Sequence, residues 1–564
     1  MIQRPFVLLP TMLGMACMFT ACGGGDDGLP QLSPATGATL ASCTDLATRI
    51  SFPNTVFTAA NAIAAGTLTV AGTPTPAHCQ LIGNMNSRVS AVDGKTYVIG
   101  FEMRMPNAWN GRFFYQANGG IDGSVGTATG AVNGGNGLTN ALTQGFAVIS
   151  SDAGHVGSQG PTFGIDPQAR LDYGYQAVGT LTPMAKAAIK TAYGKAPDRS
   201  YFGGCSNGGR HTMVAAARYA DQYDGFLVGD PGFRLPLAAI ANMAAFRAYA
   251  TVATNAADVS TGFTAAERSL VSSAVLAKCD ALDGVVDGLV QDTNACQAAF
   301  NLDRDVPTCV GARDGSCLSA AQKVVVGKRF AGVTTATGAK IYTSFPFDAG
   351  HGVGNTAFWN FTAPPALDSG AVGMIWQVPP ESPATFNGAN FALTADLDSM
   401  LAKIQATNAT YLENSLSFMT PPNPGNLASV RNRGAKMMVY HGTSDPIFSS
   451  DDTTAWYNTL RVSNGGEAHD FSRFFRVPGM THCSGGPTTD QFDMLTPLVQ
   501  WVEQGQAPQS VVASARGAGN AGGVNADIPA SWSATRTRPL CPYPQLARYK
   551  GTGSIELADS FSCQ

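Results

Sequence analysis

Residues 199–209 read Arg199-Ser200-Tyr201-Phe202-Gly203-Gly204-Cys205-Ser206-Asn207-Gly208-Gly209. The first half of this stretch predicts a short strand, and the residues from Gly209 to Tyr219 predict a helix. Between them lies the pattern G-x-S-x-G, whose glycines allow a turn tight enough to expose a serine hydroxyl above a sheet. A Gly-rich turn with a bystander serine is the alternative, but the flanking strand and helix favour Ser206 as a nucleophile.

Predicted strands and helices alternate around this motif from about residue 95 to 229, and strand signals resume near 435 and 471. Alternation of this kind is typical of a mostly parallel sheet covered on both faces. Together with the motif it predicts the α/β class, with an α/β-hydrolase fold that carries a large lid-domain insertion. We expect a first core segment at 43–231, a lid domain at 232–425 and a second core segment at 426–564.

Composition narrows the class of protein. The 564 residues are 44% hydrophobic and 13% charged, which is typical of a globular chain with a sizeable core. The net charge is −4 and no basic block is present. A nucleic-acid partner is therefore not expected, because binding to phosphates needs a positive surface.

The N-terminus reads as a targeting segment. Arg4 precedes an apolar run that is too short to span a bilayer, and Thr20-Ala21-Cys22 places small residues before a cysteine. We predict a lipoprotein-type signal at 1–22 and a flexible linker at 23–42. The protein is then exported, either anchored to the outer membrane by a lipid on Cys22 or secreted to the periplasm or beyond.

Twelve cysteines point to an oxidising compartment. Without Cys17 in the signal and Cys22 at the lipid site, ten remain, which predicts five disulfides. Proximity along the chain predicts the pairs Cys43–Cys79, Cys279–Cys296, Cys309–Cys317 and Cys541–Cys563. This leaves Cys205 and Cys483 as the fifth pair.

The acid and the base should follow the serine in the order Ser, Asp, His. Asp445 comes just after the strand predicted at 435–440, and His482 comes just after the strand at 471–477. His469 precedes its strand and so belongs to the opposite edge of the sheet. Asp451 and Asp452 suit the start of the next helix better. His482 is therefore predicted as the base and Asp445 as its orienting acid.

The leftover cysteines support this assignment independently. Cys205 adjoins the nucleophile and Cys483 adjoins the base. A disulfide needs Cα atoms within about 7 Å, so a bond between these two cysteines would bring Ser206 and His482 together.

Two backbone N–H donors should complete the site as an oxyanion hole. We expect one from Asn207 and one from Gly120, in a loop that follows an earlier strand. The alternative for Gly120 is a simple glycine turn.

Residues 279–289 contain Asp280, Asp283 and Asp287, and glycines follow two of these aspartates. Carboxylates on a tight loop suit a calcium ion. The sequence therefore predicts a structural Ca²⁺ in the lid, and a solvated acidic loop is the alternative.

Several longer runs resemble the tannase and feruloyl esterase family of α/β-hydrolases over nearly the whole mature chain. The resemblance implies hydrolysis of small aromatic esters by Ser206, Asp445 and His482. It further implies calcium ligation by the three aspartates with the carbonyls of Val285 and Leu289, and an aromatic-acid pocket lined by Leu235 and Phe448. The runs are residues 104–114, Gly204-Cys205-Ser206-Asn207-Gly208-Gly209-Arg210, residues 477–487 and Arg538-Pro539-Leu540-Cys541-Pro542-Tyr543-Pro544.

The predicted choice of substrate depends on the lack of arginine in most of the predicted lid segment. No arginine lies between Arg329 and Arg431, although a fork-shaped guanidinium is the usual partner of a substrate carboxylate. We therefore expect feruloyl-type, gallate-type or neutral terephthalate esters as substrates. Strict specificity for a terephthalate monoester is the alternative, with Arg234 or Arg247 as the cation. A lipid-anchored binding protein with an inactive triad is the non-enzymatic alternative.

Overall fold

The computed structural model describes residues 1, 29–132, 140–353 and 355–564. The predicted signal, Cys17 and Cys22 fall outside the described residues, apart from Met1.

The strands of the described residues form one large sheet and several short ribbons. The large sheet has nine strands in the order β15-β14-β11-β10-β8-β9-β6-β5-β2. Pairing is parallel from β15 to β9 and antiparallel from β9 to β2. In chain order the strands are β1 Ala38–Thr39, β2 Thr55–Ile63, β3 Thr69–Val70, β4 Thr73–Pro74, β5 His78–Val89, β6 Thr96–Pro106, β7 Ala108–Trp109, β8 Arg112–Gln116, β9 Ala147–Ser151, β10 Arg199–Cys205, β11 Gly225–Gly229, β12 Val333–Thr334, β13 Lys340–Tyr342, β14 Lys436–Gly442, β15 Ser472–Val477, β16 Gln491–Phe492, β17 Val511–Ser514, β18 Thr537–Leu540, β19 Ala547–Tyr549 and β20 Phe561–Cys563.

Helices cover both faces of the sheet. Alternate residues of a strand point to opposite faces, so Phe113 of β8 joins the core on one face and Phe114 joins the core on the other. Both faces are buried, which explains the nearly continuous apolar runs of these strands. The α-helices are α1 Leu46–Arg49, α2 Pro167–Leu171, α3 Ala177–Tyr193, α4 Asn207–Arg218, α5 Leu235–Ala250, α6 Ala265–Cys279, α7 Thr293–Ala299, α8 Leu302–Asp305, α9 Ala320–Ala331, α10 Gly388–Thr394, α11 Leu397–Ile404, α12 Ser415–Met419, α13 Ala428–Asn432, α14 Ser450–Ser463 and α15 Leu495–Gln504.

The chain between β11 and β14 adds no strand to the large sheet. It contains α5 to α13 and packs around its own apolar core. Residues 356–376 form one continuous helix in which three stretches are π-helical, namely Phe358–Thr362, Pro364–Asp368 and Ala371–Trp376. Among the described residues, no helix is both long enough and apolar enough to cross a membrane.

The N-terminal segment differs from the flexible linker expected at 23–42. From residue 29 onward it lies along the core, because hydrogen bonds tie it down. Ala35 N–H donates to the Glu503 carboxylate at 2.8 Å, the amide of Gln31 donates to the Val502 carbonyl at 2.8 Å, and β1 pairs with β7. These contacts therefore hold the segment from residue 29 to residue 42 against the core.

The ten cysteines of the described residues form five disulfides, and these join the pairs expected from the sequence. Four of them close short loops at the edges of the core and the lid. The fifth links positions 278 residues apart. The pairs are Cys43–Cys79, Cys205–Cys483, Cys279–Cys296, Cys309–Cys317 and Cys541–Cys563.

Glu503 on α15 is a buried anchor whose removal should destabilise the fold. Its carboxylate accepts hydrogen bonds from Arg112 at 2.6 and 2.7 Å and from the Tyr201 hydroxyl at 2.7 Å. Glu503→Ala leaves Arg112 without its partner, so we expect a loss of about 3–5 kcal/mol in the free energy of unfolding, measured by urea titration. Glu467→Ala, at an exposed side chain, should change it by less than about 0.5 kcal/mol.

The effect of Glu503→Ala should depend on pH. Burial alone raises the pKa of Glu503, but the hydrogen bonds from Arg112 and the Ala35 N–H bring it below its usual value. A carboxylate with a lowered folded-state pKa stabilises the fold above its unfolded pKa of about 4.3, and this is lost as the pH falls through the folded value. The difference between wild type and variant should therefore be larger at pH 7 than at pH 3. An equal difference at both would contradict the ion-pair explanation.

Candidate active site

Ser206 lies in the tight turn between β10 and α4. Its backbone has φ 67° and ψ −127°, a conformation that L-residues rarely adopt. The turn is possible because the flanking glycines leave room for close backbone approach: a Cβ at Gly204 would lie 2.6 Å from the Ala117 carbonyl oxygen, and one at Gly208 would lie 2.5 Å from the same atom. Ser206 N–H also donates to the Gly229 carbonyl at 3.0 Å.

The other two predicted residues reach Ser206 from neighbouring strands. Asp445 follows β14 and His482 follows β15, and the carboxyl ends of these parallel strands meet at one edge of the sheet. His482 Nε2 lies 2.7 Å from Ser206 Oγ, and His482 Nδ1 lies 2.8 Å from Asp445 Oδ2. These distances suit a proton relay from a hydroxyl to an imidazole held by a carboxylate.

The charge of Asp445 is set by its neighbours. Burial alone raises the pKa of Asp445, but the imidazoles of His482 and His441 bring it below its usual value. Its Oδ1 also accepts the backbone N–H groups of Ile447 and Phe448 at 2.8 and 3.0 Å. His441 Nε2 stands 3.3 Å from Asp445 Oδ2. Asp445 is therefore an anion at neutral pH, and it holds His482 in one orientation.

Asp230 is a buried residue beside the site that the sequence analysis did not single out. It follows β11, between the strands that position Ser206 and Asp445, and it is fully buried. Its carboxylate accepts the N–H of Gly442 at 2.6 Å and the N–H of Cys483 at 3.0 Å. Burial raises the pKa of Asp230 to about 6. The residue ties the loop of His482 to the strand of Asp445. The sequence offered one signal for this role, because Asp230 directly follows a strand.

The Cys205–Cys483 disulfide links the residues next to the serine and the histidine. The Cα atoms of the two cysteines are 6.2 Å apart. The bond joins the turn after β10 to the loop after β15, although the chain between them is 278 residues long. It therefore limits how far His482 can move from Ser206.

Gly120 and Asn207 border the space above Ser206. Asn207 is the first residue of α4, so its N–H has no acceptor one turn earlier in the helix. Gly120 has φ 64°, and a Cβ there would meet nothing within 4 Å. Both residues line the cavity that contains Ser206. Their positions suit two donors aimed at an oxygen bound next to the serine.

A narrow, partly open cavity lies beside Ser206. Leu235 and Phe448, the two pocket residues implied by the resemblance, line it. The rings of Phe448 and Trp359 lie edge-on to the His482 imidazole, with centroids 5.3 and 4.9 Å from it. The helix at 356–376 supplies further lining residues that the sequence analysis missed as site residues, since nothing in their spacing indicated a shared face. They are Trp359, Leu367, Asp368, Ala371 and Trp376.

The two arginines considered as carboxylate partners are engaged elsewhere. Arg234 Nε donates to Asp452 at 3.0 Å in an ion pair at the start of α14. Arg247 Nε donates to the Ala392 carbonyl at 2.5 Å, and this side chain lines a different cavity. Neither arginine is among the residues that line the Ser206 cavity.

The acidic loop at 280–287 is only partly suited to a cation. Asp283 Oδ2 is buried without a hydrogen-bond partner, and burial together with Asp287 and Asp280 raises the pKa of Asp283 to about 7. The unpartnered oxygen and the raised pKa of Asp283 are what a cation site without its cation would show. In contrast, Asp280 accepts the backbone N–H groups of Asp287 and Gly288, and Arg538 Nε donates to Asp287 at 3.0 Å.

Two other groups of side chains in the described residues bring potential metal-ligating atoms within 4.8 Å of one another. One comprises Asp230 and the disulfide-bonded Cys205 and Cys483, and the other comprises Asp230, His441 and Asp445. The first group contains sulfurs that are already bonded to each other, and the second is the carboxylate network of the site described above.

This fold, with a serine, a histidine and a carboxylate in hydrogen-bonding contact at the carboxyl edge of the sheet, is of the α/β-hydrolase type. The sequence profile of "Tannase and feruloyl esterase" matches residues 79–564. The chain belongs to the tannase and feruloyl esterase family, and it is a carboxylic ester hydrolase.

Individual relatives agree with this assignment. The chain is 39% identical to a mono(2-hydroxyethyl) terephthalate hydrolase from Piscinibacter sakaiensis over 86% of this chain and 85% of that protein. It is 27% identical to a probable feruloyl esterase B from Emericella nidulans over 92% and 94%. The crystal structure of feruloyl esterase B from Aspergillus oryzae shares the fold, with a TM-score of 0.71 and 24% identity over 93% of this chain and 99% of that one.

Loss of the Cys205–Cys483 disulfide should impair turnover as well as stability. For the double variant Cys205→Ser/Cys483→Ser we expect a loss of about 2–5 kcal/mol in the free energy of unfolding, because a very long loop is released. We expect kcat to fall at least about tenfold, because His482 is no longer held against Ser206.

The matched control is Cys309→Ser/Cys317→Ser. It removes a disulfide between cysteines that are only 8 residues apart in the sequence. It should leave kcat and KM unchanged. Equal kinetic effects of the two double variants would show that the disulfide beside the site has no positioning role.

Proposed function

We propose that the protein hydrolyses esters of aromatic acids through an acyl-enzyme formed on Ser206. The observation that supports this most is the pair of contacts from His482 to Ser206 and to Asp445, at 2.7 and 2.8 Å, beside a cavity with aromatic walls. The names of the relatives, a terephthalate monoester hydrolase and feruloyl esterases, support an aromatic acyl group.

In the first half-reaction Ser206 Oγ attacks the ester carbonyl carbon and passes its proton to His482 Nε2. Asp445 stabilises the imidazolium that forms. The negative charge on the carbonyl oxygen is met by the N–H groups of Gly120 and Asn207. Collapse of this intermediate breaks the ester C–O bond, and the alcohol leaves with the proton from His482. A water molecule then repeats the sequence on the acyl-enzyme and releases the acid.

The substrate class we favour is a neutral aromatic ester. None of the arginines in the described part of the chain lines that cavity. A substrate with a distal carboxylate would therefore bury an unpaired charge there, which is costly. Methyl ferulate, methyl gallate and bis(2-hydroxyethyl) terephthalate have no such charge. Strict action on the terephthalate monoester is the second candidate, favoured by the 39% identity to an enzyme of that name. An inactive binding protein is disfavoured, because all three triad residues are in hydrogen-bonding contact.

Further proposals concern the chain's organisation and place of action. We propose that 232–425 is a lid domain, since its helix at 356–376 covers the Ser206 cavity. Five disulfides support folding in an oxidising compartment, and thus export. A lipid anchor to the outer membrane through Cys22 remains a proposal from the sequence.

We also propose that the loop at 280–289 binds one structural calcium ion. Asp280, Asp283 and Asp287 would hold it with the carbonyls of Val285 and Leu289. When bound, the ion supplies the positive charge that the buried oxygen of Asp283 lacks. It lies in the lid segment and takes no part in the chemical steps.

Specificity constants for mono- and bis(2-hydroxyethyl) terephthalate test the proposed function. We expect kcat/KM to be at least about tenfold higher for the neutral diester at pH 7, because only the monoester must bury an unpaired charge. Methyl ferulate and methyl gallate complete the panel. Ser206→Ala should lower turnover of every substrate by roughly a millionfold while the protein stays folded.

A clear preference for the monoester would contradict this specificity. Loss of that preference in Arg234→Ala would identify Arg234 as the partner of the substrate carboxylate. Retention of a tenth of the activity in purified Ser206→Ala would refute the proposed nucleophile.

Metal analysis and thermal unfolding test the calcium proposal. We expect about one calcium per chain and a lower Tm in excess chelator, since an ion at a hundred times its Kd stabilises by about 2.7 kcal/mol. Asp283→Ala should abolish the chelator effect. Asp314→Ala, at an exposed acidic residue of the same segment, should retain it. A calcium-free protein with an unchanged melting curve in excess chelator would refute the calcium proposal.

A further inference from the structure

A group of buried polar side chains joins the two residues proposed to bind the carbonyl oxygen. Asp122 lies two residues after Gly120 in the loop that follows β8, and its side chain is 2% exposed. Its Oδ2 accepts a hydrogen bond from the side-chain amide of Asn207 at 3.0 Å and lies 2.8 Å from His211 Nε2. The loop of Gly120 is therefore attached to the start of α4, although 85 residues separate Asp122 from Asn207.

The side chain of Asn207 is held at both ends. Its Nδ2 donates to Asp122, and its Oδ1 accepts from Arg210 Nε at 2.7 Å. The amide oxygen thus faces a guanidinium and the amide nitrogen faces a carboxylate, which is the orientation that an amide dipole favours between two charges. Because both ends bond to charged groups, the amide cannot rotate without losing a strong hydrogen bond.

The charges in this group follow from its burial. Burial raises the pKa of Asp122 to about 7, while His155, Arg210 and the Asn207 amide act in the opposite direction. Burial and the nearby Arg210 lower the pKa of His211 well below its usual value, so its imidazole is neutral. At pH 8 Asp122 is an anion that accepts both contacts, with the imidazole hydrogen on Nε2.

The backbone of the loop is strained at Asp122. Its φ is 56°, in the left-handed region that residues other than glycine rarely adopt. Such a conformation persists where the surroundings enforce it. Here His155 Nε2 lies 2.8 Å from the Ile121 carbonyl, and the Tyr173 hydroxyl donates to the Gly120 carbonyl at 3.4 Å. These contacts hold the loop backbone, and the Asp122 side chain extends the attachment to α4.

We propose that Asp122 is a positioning residue of the oxyanion hole. Its carboxylate fixes the Asn207 amide, and with it the first turn of α4, against the loop of Gly120. The two N–H donors are then held in place for the charge that develops on the carbonyl oxygen. Asp122 acts through these donors, since it is not among the residues that line the Ser206 cavity. The inference rests on the proposed function, because it assumes that Gly120 and Asn207 stabilise this charge.

Steady-state kinetics on methyl ferulate at pH 8 test this role. We expect Asp122→Ala to lower kcat by about 30- to 100-fold and to change KM by less than about threefold, because a misplaced donor is felt mainly in the transition state. Asp122→Asn, which still accepts the Asn207 amide, should stay within about tenfold of the wild type. Urea titration establishes that each variant is folded.

The matched control is Asp166→Ala. Asp166 is also buried, pairs with Arg88 and caps α2. Its loss should lower the free energy of unfolding and leave kcat and KM unchanged. An equal fall in kcat in the folded control would show that the effect of Asp122→Ala comes from destabilisation and would overturn the positioning role.

A double-mutant cycle tests the connection to Asn207. Asn207→Ala removes the side-chain amide but keeps the backbone N–H, so it should lower kcat about as much as Asp122→Ala does. The double variant should lose little more than either single variant, because both changes break the same hydrogen bond. Losses that multiply in the double variant, or a wild-type kcat in Asp122→Ala, would overturn the role of Asp122.

Phenylboronic acid gives a measurement that does not require turnover. A B–O bond forms to Ser206 Oγ, the serine proton passes to His482, and the product is a tetrahedral anion that resembles the intermediate. The inhibition constant should rise in Asp122→Ala by about the factor by which kcat falls, whereas the Kd of methyl ferulate in Ser206→Ala should not change when Asp122→Ala is added. An unchanged inhibition constant would overturn the inference. A wild type that neither hydrolyses the ester nor binds the boronic acid would instead refute the proposed function.

Discussion

The structure depends on one backbone constraint, the left-handed conformation of Ser206 at the junction of β10 and α4. A non-glycine residue in that conformation costs of order 1–3 kcal/mol and persists only where its surroundings enforce it. Here Gly204 and Gly208 lie against the Ala117 carbonyl, so that no other residue fits. The hydroxyl of Ser206 therefore stands above the carboxyl edge of the sheet. Every other part of the site is arranged to reach that point.

The surrounding network holds the serine and its partners together from three directions. The parallel register places the ends of β10, β11, β14 and β15 side by side. Asp230 accepts one N–H from the Asp445 side and one from the His482 loop. The disulfide between Cys205 and Cys483 adds a covalent link across the same gap. The hydrogen-bonding contacts from Ser206 through His482 to Asp445 are therefore held by the fold itself.

The segment between β11 and β14 contributes part of the lining of the cavity beside the serine. Its helix at 356–376 contributes Trp359, Trp376 and Asp368 to the lining of the cavity. Arg234 and Arg247 are held by Asp452 and the Ala392 carbonyl. A cavity that none of the described arginines lines offers no guanidinium partner to a buried anion.

The sequence by itself determined the α/β class, the motif around Ser206, and the candidates Asp445 and His482, because these depend on short-range patterns: a strand, a glycine turn, a residue after a strand. It also determined the cysteine pairs, since four loops are short and two cysteines were left over. Only the tertiary structure decided the role of Asp230 and the place of Asp368. Asp230 contacts backbone atoms more than 200 residues away, and Asp368 lines the cavity from a helix whose π-helical turns break the 3.6-residue period on which sequence patterns rest.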